Sequence, residues 1–366
     1  MKTKKKACFI SLCILFLFLS GCTDILPDFA TTDTIVFEAQ STAVQYTISY
    51  GFNITSYGNG EAAIQYREDL PSLPQGTLLD IDIINEQLSQ SIIVANNTMT
   101  EWNITLQDTE QIRLGVNATI STETIFVSDL NGTKALTIDH LQSNHQNLID
   151  QYCNPQGNNS IWLIEPHHPV IKQKAQEILF KSSTENAFEQ AKKLFLWLKQ
   201  QTSYKIHPNQ DTTQPATVTL QKKTGDCDDL SFLYMSLLRA VNIPCRSIKG
   251  YLISETDGTI QTISHLWVDV FVGGDLGLNG WIPVECAGTG DGKNELYQNF
   301  GVEDAFHLRM FLDDGSNASL IQSTSHISIR YNEDMNVDIT EFTKINDYQI
   351  IESQKLCIED NIRSYC

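Results

Sequence analysis

The stretch Gly225-Asp226-Cys227-Asp228-Asp229-Leu230 leads from a polar, basic connection directly into a segment with helical periodicity. Apolar residues follow at positions 230, 233, 234, 237, 238 and 241, the spacing of a helix that buries one face. Cys227 therefore lies in the first turn of the predicted helix. Unpaired N–H groups and the positive end of the helix dipole favour a thiolate there. The stretch predicts a cysteine placed to act as a nucleophile.

Three predicted strands of an antiparallel meander follow this helix. The second strand begins at His265 and the third ends at Glu285. A thiolate nucleophile needs a base, and the base needs an orienting acceptor. Asp269 is the carboxylate nearest to His265 in sequence, but four residues along a strand span about 13 Å. If the strands pair in the simplest register, Glu285 can orient His265 and Asp269 cannot.

Six segments, taken in order, resemble the core of the transglutaminase-like superfamily, papain-like thiol enzymes with a Cys-His-Asp triad. The segments are Gly225-Asp226-Cys227, Leu237-Leu238-Arg239, Asn242-Ile243-Pro244-Cys245-Arg246, Gly250-Tyr251, His265-Leu266-Trp267-Val268-Asp269-Val270 and Gly280-Trp281-Ile282-Pro283-Val284-Glu285. The resemblance covers roughly residues 169–287. It implies Cys227 as the nucleophile, His265 as the general base and acid, and Glu285 as the orienting acid. Glutamate stands where aspartate is usual, which keeps the charge but adds a methylene.

The resemblance to thiol enzymes also implies an oxyanion hole. The backbone N–H of Cys227 is one expected donor, and the side chains of Tyr204 and Gln221 are candidates for the second. Asp226 and Asp228 oppose thiolate formation, because nearby carboxylates raise the pKa of a thiol. The mechanism requires no metal and no cofactor.

The N-terminus is typical of an exported lipoprotein. Lysines at positions 2, 4, 5 and 6 precede an apolar run over residues 7–19, which is too short to span a bilayer as a helix. The run ends in Leu19-Ser20-Gly21-Cys22, which resembles a lipobox. We predict a signal peptide at residues 1–21, lipidation at Cys22 and a short tether at residues 22–33. The mature chain would be lipid-anchored to the cell membrane on its extracytoplasmic face.

The charge balance argues against nucleic-acid binding. Removal of the four lysines in residues 1–21 reduces the 25 basic side chains to 21, against 44 acidic ones, a net charge of about −23. So acidic a surface would repel phosphate backbones. Asn-x-Ser/Thr sequons, which could carry glycan in an exported protein, occur at Asn53, Asn96, Asn103, Asn117, Asn131, Asn158 and Asn317.

The pattern along the chain predicts an α+β protein with two folded regions. Alternating apolar residues between positions 34 and 130 predict an antiparallel β-sandwich that carries no chemistry. We expect a linking region at residues 131–166, a papain-like transglutaminase-like domain of helices packed on an antiparallel sheet at 167–335, and a C-terminal tail at 336–366. Within the second domain, residues 307–311 and 326–331 are expected to form a hairpin.

Seven cysteines remain after removal of the signal peptide. Cys357 and Cys366 could form a disulfide within the tail, and Cys245 with Cys286 is a second possibility. No spacing of cysteines and histidines is typical of a zinc site.

Two functions follow as hypotheses. The first is a membrane-anchored thiol enzyme that acts on amide bonds of a protein or peptide through a thioester, with hydrolysis favoured over amine transfer. The second is a catalytically inactive envelope module that binds a partner. A cysteine at a helix start is often a buried apolar residue, and His265 and Glu285 could be ordinary strand ends. The order and spacing of all three favour the enzyme.

Overall fold

The computed structural model describes residues 34–154, 163–180, 186–206, 213–256, 259–288, 292–316, 325–331 and 334–366. The predicted signal peptide, the lipidation site Cys22 and the tether at 22–33 lie outside these ranges, as do Asn158 and Asn317.

The described strands are β1 (Ile35–Gly58), β2 (Ala62–Asp69), β3 (Gly76–Ile84), β4 (Ser89–Val94), β5 (Asn97–Leu106), β6 (Gln111–Glu123), β7 (Ile125–Phe126), β8 (Ser203–Tyr204), β9 (Thr224–Gly225), β10 (Cys245–Thr256), β11 (Thr259–Phe271), β12 (Trp281–Val284), β13 (Val302–Glu303), β14 (His307–Leu312), β15 (Ser325–Tyr331), β16 (Met335–Glu359) and β17 (Ile362–Tyr365). The described helices are α1 (Ile138–Asn144), α2 (Gln146–Leu148), α3 (Pro169–Leu179), α4 (Ala187–Gln201), α5 (Ala216–Lys222), α6 (Cys227–Arg239) and α7 (Gly292–Asn299), with a 3-10 turn at Glu86–Leu88 and a π-helix at Ile149–Cys153.

Two antiparallel sheets form the β-sandwich. Over the described ranges their strand orders are β17-β16-β1-β6-β3 and β15-β2-β5-β4. The alternation in β1 buries Tyr46, Ile48 and Tyr50 between the sheets. Trp102 of the second sheet stacks on Tyr66 with ring centroids 4.9 Å apart. The mixed α+β fold with antiparallel sheets is confirmed.

The segment 336–366, expected to be a tail, is instead part of the sandwich. It forms β16 and β17, and β16 pairs with β1 along almost the whole of both strands, from Ile35 opposite Ile358 to Gly58 opposite Met335. Most β16 side chains are exposed, so the apolar alternation that identifies a strand is weak there. Its structure comes from pairing with a strand about 300 residues earlier in the sequence.

The expected hairpin between residues 307–311 and 326–331 is wrong. β14 pairs with β10, whereas β15 pairs with β2 in the sandwich. Apolar side chains of β10 and β14, including Tyr251, Ile253 and Leu308, also belong to the sandwich core. Residues 34–366 consequently form one compact unit.

The second region is a layer of helices on an antiparallel sheet of order β12-β11-β10-β14 in the described chain. Leu266, Val268 and Val270 of β11 face α6 and share a core with its residues Leu233 and Leu237. This packing places the start of α6 against β11, where the chemistry is expected.

Residues in the expected linking region pack into the same core rather than connecting two independent domains. Leu141 of α1 and Cys153 of the π-helix are buried. The two cysteines at the chain end, Cys357 and Cys366, form a disulfide with a Cα–Cα distance of 6.0 Å. Cys245 and Cys286 are buried and free, so the second possible pair is not formed.

None of the helices in the described ranges combines the length and apolar character needed to cross a bilayer.

Candidate active site

Residues at the start of α6 themselves stabilise the beginning of this helix. Asp226 caps the helix by accepting from the backbone N–H of Asp229, and Asp229 accepts from the N–H of Asp226 in return. A Cβ on Gly225 would overlap the Asp229 side chain, so only glycine fits this turn. Strand β9 pairs in parallel with β8, which brings Tyr204 opposite Gly225. Cys227 is thus held in the first helical turn, beside Tyr204.

The sulfur of Cys227 is partly buried and has two polar neighbours. It donates to Oδ1 of Asp228 at 3.5 Å, and the backbone of Leu266 hydrogen-bonds it from β11. Burial raises the pKa of the thiol above its usual value, and the charges of Asp228 and Asp226 raise it further, while the Leu266 contact lowers it. Within the described residues, no hydrogen bond joins the sulfur to His265.

His265 and Glu285 are brought together as the strand order predicted. Nε2 of His265 lies 2.6 Å from Oε2 of Glu285, and only 8% and 15% of the two side chains are exposed. Oε1 of Glu285 accepts from the backbone N–H of Ala287 at 2.6 Å. Because a carboxylate only accepts, Nε2 carries the proton in this hydrogen bond, which leaves Nδ1 as the nitrogen that can take up a proton.

The charge on Glu285 is strongly favoured. Burial would raise its pKa, but the hydrogen bonds and positive charge supplied by His265 and His307 outweigh burial and lower the pKa below its ordinary value. An ionised carboxylate of this kind can orient an imidazole and stabilise an imidazolium.

His307, which the sequence analysis places only in a predicted strand, also lies at this site. Its Nε2 lies 3.3 Å from Oε2 of Glu285, and its Nδ1 lies 2.7 Å from Oδ1 of Asp304. The pairing of β14 with β10, on which this contact depends, is not indicated by the local sequence.

Asp269, excluded as the partner of His265, has different partners. Its buried carboxylate accepts from both terminal nitrogens of Arg309 at 2.9 and 3.0 Å and from Arg246 at 2.9 Å. Burial would raise the pKa of Asp269, but these two guanidinium groups lower it. The residue belongs to a structural ion-pair network.

The two candidates for the oxyanion hole are not equivalent. Tyr204 is half-buried, and burial together with the charges of Cys227, Asp226 and Glu285 raises its pKa, so its hydroxyl remains a donor. Gln221 is an exposed residue near the end of α5. Tyr204, opposite Gly225 and beside the start of α6, is kept as the candidate for the second donor.

A close cluster of possible ligand atoms is formed by His265, Glu285 and His307. One nitrogen or oxygen from each lies within 4.8 Å of the others, a spacing that a metal ion could use. However, both histidines already contact the same carboxylate oxygen. These hydrogen bonds account for the cluster, and we assign no metal to it.

Comparison with known proteins identifies the fold. Residues 172–286 match the family model of the transglutaminase-like superfamily. The structure is similar to the crystal structure called "Putative Cysteine Protease from Cytophaga hutchinsonii", with a TM-score of 0.51, 12% identity and coverage of 91% of this chain and 100% of that chain. At this identity the likeness shows the fold alone.

A second similar structure is the periplasmic domain of TgpA from Pseudomonas aeruginosa, with 10% identity, a TM-score of 0.31 and coverage of 64% of this chain and 86% of that chain. A score this low does not show a shared fold. No curated protein matches the chain significantly in sequence.

The fold of the chain is thus mixed α+β and similar to that of the Cytophaga hutchinsonii protein. More narrowly, residues 172–286 carry a transglutaminase-like core, which confirms the resemblance stated for residues 169–287.

Proposed function

We propose that the protein is a thiol enzyme that cleaves or transfers amide bonds, with Cys227, His265 and Glu285 as its catalytic residues. The observation that carries this proposal is the 2.6 Å contact between Nε2 of His265 and Oε2 of Glu285, beside the strand residue that hydrogen-bonds the Cys227 sulfur. Such a contact orients a histidine so that its other nitrogen can serve as a base.

The reaction follows from these positions. His265 takes the proton of Cys227, and the sulfur attacks an amide carbonyl carbon of a protein or peptide. The carbon–nitrogen bond then breaks, and the leaving nitrogen receives that proton from His265. The backbone N–H of Cys227, with Tyr204, stabilises the oxyanion. Water, deprotonated by His265, then attacks the thioester carbonyl carbon, the carbon–sulfur bond breaks, and the Cys227 sulfur recovers the proton from His265 as the carboxylic acid leaves. An amine in place of water gives transfer. We favour hydrolysis.

Before attack, the Cys227 sulfur must give up its hydrogen bond to Asp228 and turn towards His265. A rotation about the Cα–Cβ bond of Cys227 redirects a sulfur without moving the helix. Catalytic hydrogen bonds are often long or misaligned without substrate. The contact between Cys227 and Asp228 is therefore compatible with an enzyme that has no substrate bound.

The test is alkylation by iodoacetamide at neutral pH, read at each cysteine by peptide mass spectrometry. Cys227 is the only free cysteine of the described ranges that is not fully buried, so its signal can be separated. We expect modification of Cys227 to slow by at least about tenfold in His265→Ala. His326→Ala, which removes an exposed histidine of the sandwich, is the matched control. Equal rates in all three proteins would refute the proposal.

The second candidate is a catalytically inactive binding module. The carboxylates beside Cys227, which raise the pKa of its thiol, favour it. The same alkylation experiment decides between the two, because an inactive module gives a slow rate that does not depend on His265.

We also propose that the chain is anchored by lipid on the extracytoplasmic face of the membrane, with Cys22 as the modified residue. The basic start, apolar run and Leu19-Ser20-Gly21-Cys22 support this location. Incorporation of a labelled fatty acid, present in the wild type and lost in Cys22→Ser, is the expected result. Equal labelling of both proteins would contradict it.

A further inference from the structure

The group formed by His307 and Asp304 lies beside the proposed catalytic residues and has no step in the reaction proposed above. His307 begins β14, on the far side of β10 from His265. Its side chain is only 9% exposed, and its ring centroid is 5.7 Å from that of His265. A buried histidine in this position needs an explanation beyond packing.

Both ring nitrogens of His307 face carboxylates. Nδ1 lies 2.7 Å from Asp304 and Nε2 lies 3.3 Å from Glu285. Because a carboxylate can only accept, each nitrogen must carry a proton for both hydrogen bonds to form. The geometry therefore describes a doubly protonated, positively charged imidazolium between two acids. Although burial disfavours this charge, Asp304 and Glu285 raise the pKa of His307 well above its usual value.

Two histidines thus meet at one oxygen of Glu285. Oε2 faces Nε2 of both His265 and His307, while Oε1 is held by the N–H of Ala287. Rotation of the carboxylate away from this position would therefore break at least one of these hydrogen bonds. The longer side chain of glutamate, compared with aspartate, is restrained in this way.

The backbone of β10 permits the contact. Gly250 lies opposite His265 on one side and opposite Arg309 on the other. A Cβ at this position would overlap the carbonyl oxygen of Leu308 and would lie 3.2 Å from the Trp267 ring. A glycine here lets β14, and with it His307, approach the histidine of β11.

We propose that His307, held by Asp304, is a positioning residue that fixes the Glu285 carboxylate against His265. The inference rests on the proposed thiol chemistry of Cys227. It assigns His307 no contact with substrate, and it accounts for the glutamate at a position where related enzymes carry aspartate.

The experiment measures the second-order rate of Cys227 alkylation by iodoacetamide between pH 5 and 9 in the full chain. In His307→Ala we expect the rate at neutral pH to fall about tenfold and the acidic limb of the profile to move to higher pH, because Glu285 loses a donor and a positive neighbour. His307→Gln retains an N–H donor and should recover part of the rate. His326→Gln is the matched control and should behave as the wild type.

Asp304→Asn provides a second variant in case His307→Ala does not fold. Its amide oxygen can still accept from the Phe306 N–H, as Oδ1 of Asp304 does at 3.0 Å, but the charge that holds the imidazolium is gone. We expect a smaller shift in the same direction. Folding of each variant is checked by thermal unfolding.

The outcomes separate the two proposals. If alkylation of the wild type does not depend on His265, the thiol function fails and this inference falls with it. If it depends on His265, but folded His307→Ala and Asp304→Asn match the wild type in rate and pH profile, the positioning role alone is refuted.

Discussion

The sulfur of Cys227 donates a hydrogen bond to Oδ1 of Asp228 at 3.5 Å, although the two residues are neighbours in the chain. Among the neighbouring carboxylates, this acid does most to raise the pKa of the thiol, and it opposes the thiolate that a nucleophile requires. In the site without substrate, the charge of Asp228 therefore lowers the reactivity of the Cys227 thiol.

Neutralising this acid should make the thiol more reactive. In Asp228→Asn the charge that raises the pKa of Cys227 is lost, while the side-chain size and an acceptor oxygen remain. Because one pKa unit changes the thiolate fraction tenfold, we expect the alkylation rate at neutral pH to rise by up to about tenfold. Asp139→Asn, which removes an exposed first-turn acid of α1, is the control. An unchanged or lower rate would contradict this role of Asp228.

A methyl group on Gly250 should destabilise the fold and disturb the proposed active site. The added Cβ would overlap the Leu308 carbonyl oxygen, so β10 and β14 must separate. Overpacking of this kind costs about 1–3 kcal/mol. We expect Gly250→Ala to lower the free energy of unfolding in urea by that amount and to slow Cys227 alkylation. Ser264→Ala, at an exposed position of the adjacent strand, should do neither. Wild-type values for Gly250→Ala would show that the strands tolerate the group.

Removal of only one partner of the buried ion pair between Arg239 and Asp313 should lower the free energy of unfolding strongly. Both side chains are fully buried, with an N–O distance of 3.0 Å, and Arg239 also donates to the Cys245 carbonyl at 2.7 Å. Asp313→Ala leaves the guanidinium charge without its counter-ion, for which we expect a loss of about 3–5 kcal/mol in urea unfolding. The double variant Arg239→Met/Asp313→Ala should lose less than the single one. A loss below about 0.5 kcal/mol in Asp313→Ala would contradict the assignment.

Two buried acids in the sandwich should make the protein less stable as pH rises. Burial raises the pKa of Glu68 to about 8, and burial together with the Glu68 charge raises the pKa of Asp69 to about 9. Both are protonated in the folded chain below these values but ionise near pH 4 when unfolded. Their stabilising contribution is therefore complete below about pH 4 and is lost as pH rises towards 8 and 9, by about 1.4 kcal/mol per pH unit for each group.

The measurement is the free energy of unfolding at pH 5, 6 and 7. Glu68→Gln/Asp69→Asn should show a shallower decline with pH than the wild type over this range. Asp80→Asn, an exposed acid of β3, should follow the wild type. Equal slopes for wild type and double variant would mean that the two acids are ionised in the folded state.

The local pattern was sufficient to predict the elements around the proposed site. The helical spacing after Gly225 and the acids of its first turn identify the helix that begins at Cys227. His265 and Glu285 could be paired from sequence because their strands are consecutive and antiparallel, so a simple meander determines their neighbourhood.

Residues joined by distant pairing could not be predicted. His307 reaches Glu285 only because β14 lies beside β10, after an excursion of the chain through β11, β12 and α7. The direction of the Cys227 sulfur also depends on side-chain rotation, which no sequence pattern encodes. The pairing of β14 with β10 and the direction of the sulfur have the same cause. Each depends on which of several possible partners a group contacts in the folded chain.

The pairing of β1 with β16 also dictates an order of events during folding. Strand β1 ends at Gly58 and its partner β16 begins only at Met335, so β1 cannot complete this pairing until the chain between them has been made. Until then one long edge of β1 stays open, and contacts of such sequence separation form slowly. The sandwich therefore closes only after β16 has been made, and a chain cut short before Met335 would expose an edge prone to aggregation.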